Sequence, residues 1–343
     1  MTVVARQRPA QQIGRQLIAA GLLLGLLLLS VAGLALGSKP VPWTTVVNAV
    51  LAFDPQDPDH LLVVYLRLPR LLMALLVGAA LGTAGLLMQA VTRNALADPG
   101  ILGVNAGASL AVVAALALFG PLAMGLQILA AMGGAFLAGV AVLGLAGAGT
   151  VRSSPTRIVL AGVAVSAVFL SFSQLVMLNS DDQVFDRYRN WVVGALEGRD
   201  LNVLQVTLPF VLTGLALALY VSRHLDALGL GQELGAALGV HRTRVLGLSL
   251  LAIVLLAGAS TAAVGPIAFL GLIAPHLARA LVGPNHGLLL RWSVLLAVFT
   301  LLLADVAGRV LAHPADLGAG LMVALIGGPF FVMLARRDRL TDL

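Results

Sequence analysis

Asp181 to Asp186, in the stretch DDQVFD, and His276, one residue after Pro275, are the side chains whose types first suggest chemistry. Clustered aspartates can hold a divalent cation against a diphosphate, as in prenyl transfer. Here the spacing is off by one residue, and no second acidic cluster falls within an apolar run. A lone histidine near the end of an apolar helix is more often a hydrogen-bonded packing residue than a metal or heme ligand. Asp305 stands four residues before Arg309, the separation at which a helix brings opposite charges together. A charge is costly in lipid, so this pair is expected to face protein or water. No GxxxxGK[ST] is present, so the chain has no phosphate cradle of its own, and HExxH and GxSxG are missing too. Cysteine is absent, which excludes disulfides and thiolate metal sites. The reading is a non-enzyme with no catalytic residue, no resident metal and no cofactor.

The elements around these residues explain why. Of 343 residues, 59% are hydrophobic and 10% charged, and the mean hydropathy is +1.00. Soluble domains carry roughly 25% charged residues. Lipid is therefore the solvent for most of this chain. The net charge of +6 does not point to nucleic acid, because the basic residues are scattered at the ends of apolar runs without interleaved aromatics.

A bilayer core needs about 20 apolar residues per helix. Ten such runs are present, at 17–37, 67–91, 100–119, 124–148, 158–178, 202–222, 243–262, 265–281, 291–312 and 317–335. The fold class is all-α and polytopic, with about ten transmembrane helices. Val264-Gly265-Pro266 divides the seventh run from a short eighth, because proline removes a donor and disfavours helix before it. With the N-terminus in the cytoplasm, fourteen Lys and Arg fall inside and seven outside, which places both termini in the cytoplasm. The expected organisation is a tail at 1–16, one membrane domain at 17–335 and a tail at 336–343. Outer segments lie at 38–66 and 179–201, and a cytoplasmic loop at 223–242. That loop has helix-like apolar spacing at Leu225, Leu228, Leu234 and Leu238, and an apolar stripe in water asks for a partner. The stretch RNALADPGILGVN, Arg93 to Asn105, reads as a capped turn between two membrane helices, with Asp98 as N-cap and Pro99 at the first helical position.

Leu66 to Ser109, LRLPRLLMALLVGAALGTAGLLMQAVTRNALADPGILGVNAGAS, closely resembles the permease subunits of bacterial iron-siderophore, heme and vitamin B12 ABC importers, the FecCD/BtuC type. RIVLAGVAV (Arg157–Val165), VGPIAFLGLIAPHLARALVG (Val264–Gly283) and LLADVAGRV (Leu302–Val310) fit the same family in the same order. The wording is nearest to ferric-catecholate siderophore permeases, although Ala95 stands where the family usually has proline.

The resemblance implies a type II importer fold. Two permease subunits, as a homodimer or heterodimer, would work with two ATP-binding subunits and a periplasmic or lipid-anchored substrate-binding protein in a bacterial inner membrane. It implies a ferric siderophore as cargo, with heme or cobalamin as the alternative. A membrane-embedded enzyme and a passive pore are the competing classes. Residue by residue, it implies a cytoplasmic gate at Asn94, Leu96, Pro155 and Thr156. It implies ATPase coupling through Gly229, Gly231, Gln232, Glu233, Leu234, Leu238 and Gly239. It also implies binding-protein docking at Arg67, Arg70 and Arg309.

Overall fold

The computed structural model describes residues 9–147, 154–229, 232–312 and 315–336. Among these residues every regular element is helical. Helix α1 (Pro9–Ala35) is followed by the short α2 (Trp43–Leu51). α3 (Pro58–Leu61), a π turn (Leu62–Arg67) and α4 (Leu68–Thr92) run on as one rod. A 3-10 turn (Pro99–Leu102) leads into α5 (Val104–Phe119), α6 (Met124–Leu145) and α7 (Pro155–Leu178). The amphipathic α8 (Asp182–Val192) precedes α9 (Leu201–Gly229) and the short α10 (Gln232–Ala237). α11 (Arg242–Val264), α12 (Leu270–Val282), α13 (His286–Leu311) and α14 (Ala319–Ala335) complete the bundle. Seven of these helices are long and apolar enough to cross a membrane, and α5, α12 and α14 are shorter apolar helices. Each of the ten apolar runs corresponds to one of them.

The boundaries differ where local geometry overrides composition. The second run extends back to Pro58 through the π turn. Pro69 has no N–H to give and its ring crowds the carbonyl four residues earlier, so the backbone widens before it. Leu68 N–H bonds to Val63 O, five residues back. α9 continues seven residues past the end of its apolar run, to Gly229. Residues 223–229 therefore belong to a rod rather than a loop. The break at Val264-Gly265-Pro266 is present, but α12 begins only at Leu270. Both Gly265 (φ 82°) and Phe269 (φ 65°) take left-handed conformations in the extended link between the two helices.

α4 and α11 form the centre. Each is 72% buried along its most apolar window, against 6% for α1 and 22% for α7. A helix that is apolar all round is stable only where neighbours surround it. α4 packs on α11, α12 and α13 at very short range: a methyl at Gly85 would stand 1.8 Å from the Gly271 carbonyl oxygen of α12. Glycine lets the two backbones touch, the usual device for packing helices in lipid. α5, α6 and α7 form a second group beside this centre, and α1 lies on α13. The end of the bundle at which α1 begins is the proximal end, and the opposite one the distal end.

Candidate functional site

The proximal end carries the turn between α4 and α5. α4 stops because Arg93 turns left-handed (φ 50°), and Arg93 and Asn94 both give their N–H to Gln89 O. Asn94 Oδ1 then accepts from Leu96 N at 2.9 Å, and its carbonyl accepts from Ala97 N at 3.1 Å. Asn94 thus fixes its own turn, with its side chain on the surface. Leu96 points the other way. It packs against a cluster of Leu272 and Ile273 of α12 and Leu334 of α14, on which Phe269, Leu277, Phe330 and Phe331 also pack. One leucine thereby ties the turn to two membrane helices.

Asp98 is the N-cap of the next element, accepting from Gly100 N at 2.8 Å, with Pro99 at the first helical position. The capped element is the 3-10 turn, and α5 starts only after Gly103 turns left-handed (φ 71°). Burial pushes the Asp98 carboxyl up to about 6, against the opposing pull of the Gly100 hydrogen bond.

Pro155 opens α7 at its first position, with Ser154 as N-cap accepting from Arg157 N at 3.3 Å. Thr156 is exposed in the first turn. Residues 148–153, ahead of them, and the side chain of Pro155 lie outside the described residues. α7 meets the first turn further along: a methyl at Gly162 would stand 1.8 Å from Ile101 O. The two expected gate segments therefore share one end of the bundle and are joined through the 3-10 turn.

α10 projects from the same end. Gln232 and Glu233 begin it; their side chains, and Gly231 entirely, lie outside the described residues. Gly229 ends α9. Leu234 and Leu238 are 59% and 64% exposed, one helical turn apart. Gly239 (φ 76°) closes the helix: Val240 N reaches back to Gly235 O at 3.0 Å across it. Leu234 on this capped, six-residue helix and Leu238 just after it thus face outward, and so short a helix could not hold together alone in water.

The distal end is built from ions. Asp305 on α13 accepts from Arg70 Nε at 2.9 Å and from Arg309 Nη2 at 2.7 Å, and Arg70 Nη2 stands in ion-pair contact with it at 2.9 Å. Arg70 Nη1 also reaches Asp316 at 2.7 Å. Arg309 Nη1 donates to Gly33 O and Leu36 O at 2.7 and 3.0 Å. Arg67 donates to Leu34 O and Ala35 O at 2.7 and 2.9 Å, and to Lys39 O. The last carbonyls of a helix lack partners and carry its negative dipole end, and arginine satisfies both needs. The resemblance expects these arginines to dock a binding protein; in the structure Arg67, Arg70 and Arg309 are 6%, 9% and 5% exposed, with their forks occupied within the chain.

The aspartates of DDQVFD fall at the start of α8, where Asp186 pairs with Arg189 at 3.1 Å in the open. The His276 ring stands edge-on to Phe330, with centroids 5.8 Å apart. Sequence reasoning missed Asp316 and the contact of Asp226 with His286. Their partners lie 246 and 60 residues away, beyond the reach of any local pattern.

Comparison with known proteins agrees with this architecture. Residues 23–337 match the FecCD transport family. The chain is 45% identical over 332 residues to the ferric enterobactin transport system permease protein of Escherichia coli, covering 95% of this chain and 96% of that one. It is 39% identical to the Fe(3+) dicitrate transport system permease protein FecD of the same organism, covering 91% and 97%. It is also 39% identical to the Fe(3+)-citrate import system permease protein YfmD of Bacillus subtilis, covering 82% and 83%. Among solved structures, an inward-facing metal-chelate type ABC transporter superposes with a TM-score of 0.80 at 27% identity, covering 94% of this chain and 99% of that one. A helical bundle with its charges buried at one end and the Arg93–Asp98 turn packed at the other, matched over nearly its whole length, identifies the chain as a multi-pass inner-membrane member of the FecCD transport family.

Proposed function

We propose that this chain is the permease subunit of an ATP-driven importer that carries a ferric siderophore into the cytoplasm by alternating access. The proximal face is the cytoplasmic one, with both termini on that side. The observation that carries the reading is the exposed Leu234 on a short capped helix, with the exposed Leu238 just after it, at the same end as the gate turn. A cleft in an ATP-binding subunit would cover these leucines and stabilise the helix. ATP hydrolysis belongs to that partner, since this chain has no phosphate-binding loop. The ferric enterobactin and ferric citrate permeases among its relatives support an iron chelate as cargo.

The gate is the turn at Asn94–Leu96 together with the start of α7 at Pro155 and Thr156. Leu96 seals against α12 and α14 in this state, and Asn94 faces water. The exposed side of α7 bears Ser171 and Gln174 among Val168, Phe172 and Leu175. Polar side chains in that position suit a protein or water boundary better than lipid. We place a second permease there, with the cargo path between the two. A substrate-binding protein docks on the distal face. Arg67, Arg70 and Arg309 support that face from below, and would meet a partner's carboxylate only by releasing the partners they hold now.

The test is transport in proteoliposomes holding the permease, its ATP-binding subunit and a binding protein charged with ferric catecholate, ferric hydroxamate, heme or cobalamin. ATP-dependent accumulation of a ferric chelate is the expected result. Accumulation of heme or cobalamin alone would replace the cargo, and accumulation without ATP would replace the importer with a pore. Orientation is checked separately in the cysteine-free chain. Ser154→Cys and Gln232→Cys should react with an impermeant thiol reagent only after the membrane is permeabilised.

A further inference from the structure

At the proximal end, Asp226 in the last turns of α9 reaches across to the start of α13. Its Oδ1 accepts from the His286 backbone N–H at 2.9 Å and lies 2.7 Å from His286 Nδ1. Its Oδ2 accepts from Asn285 Nδ2 at 3.4 Å. Asn285 meanwhile caps α13 from within, accepting from Leu288 N at 2.9 Å. The first N–H groups of a helix lack intrahelical partners and favour negative charge. Here one of them is satisfied by a carboxylate from a different helix, 60 residues earlier.

α10 rests on the same turn of α9. A methyl at Gly235 would stand 3.4 Å from Ala227 O and from Leu228 Cδ2, the two residues after Asp226. Beyond the pin, α13 has no clearance from α4. A methyl at Gly82 would stand 2.6 Å from Ser293 O and Ala297 Cβ, and one at Gly78 would stand 2.8 Å from Val298 Cα. α4 ends in the turn that seats Leu96. Close-packed interiors carry displacement rather than absorb it.

We propose that Asp226 is a positioning residue that fixes the α10-bearing end of α9 to α13, so that a push on α10 moves α13 and α4 together and lifts the gate turn. This rests on the reading of α10 as the seat of an ATP-binding subunit. Apolar faces of α9 and α13 alone could slide past one another. A carboxylate holding a backbone N–H and a ring of the same residue fixes both distance and rotation. The inferred pin acts through the helices it joins and touches neither cargo nor nucleotide.

The experiment uses the full complex in proteoliposomes and compares wild type, Asp226→Asn and Asp226→Ala. Three quantities are read: retention of the ATP-binding subunit, ATP hydrolysis without binding protein, and chelate accumulated per ATP hydrolysed. Asp226→Ala should lower chelate per ATP about tenfold, while retention and basal hydrolysis stay within about twofold. Asp226→Asn keeps an acceptor for the His286 N–H and should lose about threefold. An unchanged ratio in Asp226→Ala would overturn the pin and leave the importer reading standing. A parallel loss of retention and uptake would show that Asp226 merely supports the fold of α10, and would also overturn it. Failure of the wild-type complex to couple ATP to accumulation would instead remove the importer reading itself.

Discussion

The two ends of this bundle are held together by different forces. At the distal end, Arg70, Arg309, Asp305 and Asp316 satisfy one another inside the protein, and Arg67 and Arg309 hold the last carbonyls of α1. At the proximal end, an apolar cluster on which Leu96 packs, the Asp226–His286 contact and a few single-residue caps hold turns in place, and Leu234 of α10 and Leu238 just after it face outward. Ion pairs withdrawn from water give way all at once, because a stranded partner is costly. Apolar contacts yield by degrees and can be traded for similar contacts elsewhere. Buried charge holds one end, and apolar packing with a few hydrogen-bonded contacts holds the other.

Asp305→Ala should break that contrast most severely. It removes the carboxylate that two buried arginines share, leaving Arg70 with Asp316 and Arg309 with carbonyls alone, and removing one member of a buried pair costs about 3–5 kcal/mol. A large fall in melting temperature in detergent, or loss of the folded protein, is expected; a melting temperature within a degree of wild type would show that the distal cluster is not an anchor. Next comes Gly85→Val, which forces α4 off α12 in the middle of the rod. Overpacking of this kind costs about 1–3 kcal/mol, and melting in the same detergent measures it.

The proximal end should answer differently. Leu234→Asp with Leu238→Asp should leave melting of the isolated permease unchanged, because both side chains are exposed. Retention of the ATP-binding subunit should fall about tenfold, as expected when central apolar anchors of an interface are lost. Co-purification through detergent checks this, and undiminished retention would remove the coupling role of α10.

The smallest effect concerns Asp98. Its carboxyl titrates at about 6 in the fold and at 3.8 when unperturbed, so between these values the folded turn binds more protons than the unfolded chain. Its contribution to stability is therefore complete below pH 3.8 and is lost as pH rises through 6. Asp98→Asn should flatten the slope of melting temperature against pH across that window. An unchanged slope would assign the pH dependence to other groups.

Much of the scaffold could be read in advance. The apolar runs mark the membrane helices because lipid tolerates little else, and the Asp98-Pro99 cap and the break at Gly265-Pro266 are local chemistry. What the chain order hides is everything settled by distant neighbours. The Asp305–Arg309 pair is legible from its spacing, but the other partners of Arg67, Arg70 and Arg309 are α1 carbonyls and, for Arg70, two aspartates far along the chain. Leu96 was expected at the gate, whereas its seat on α12 and α14 depends on a fold that brings residues 269–277 and 330–334 together. The spacing of Leu225 and Leu228 reads as helical, but the continuity of that stretch with α9 through Gly229 is hidden because hydropathy falls before the helix does.

The π turn at Leu62–Arg67 sets the angular phase of the distal end. Each residue of an α-helix advances about 100° around the axis, and a π turn inserts a partial step into that count. Tightening Leu62–Arg67 to ordinary α spacing with every residue kept would swing all preceding residues around the rod by roughly that angle. Asp59, which pairs with Lys39, would leave its partner, and α2 would be carried off its seat on Val63. The azimuth of the whole distal cap is therefore indexed to one wide turn, and the proline behind it, Pro69, keeps that turn wide.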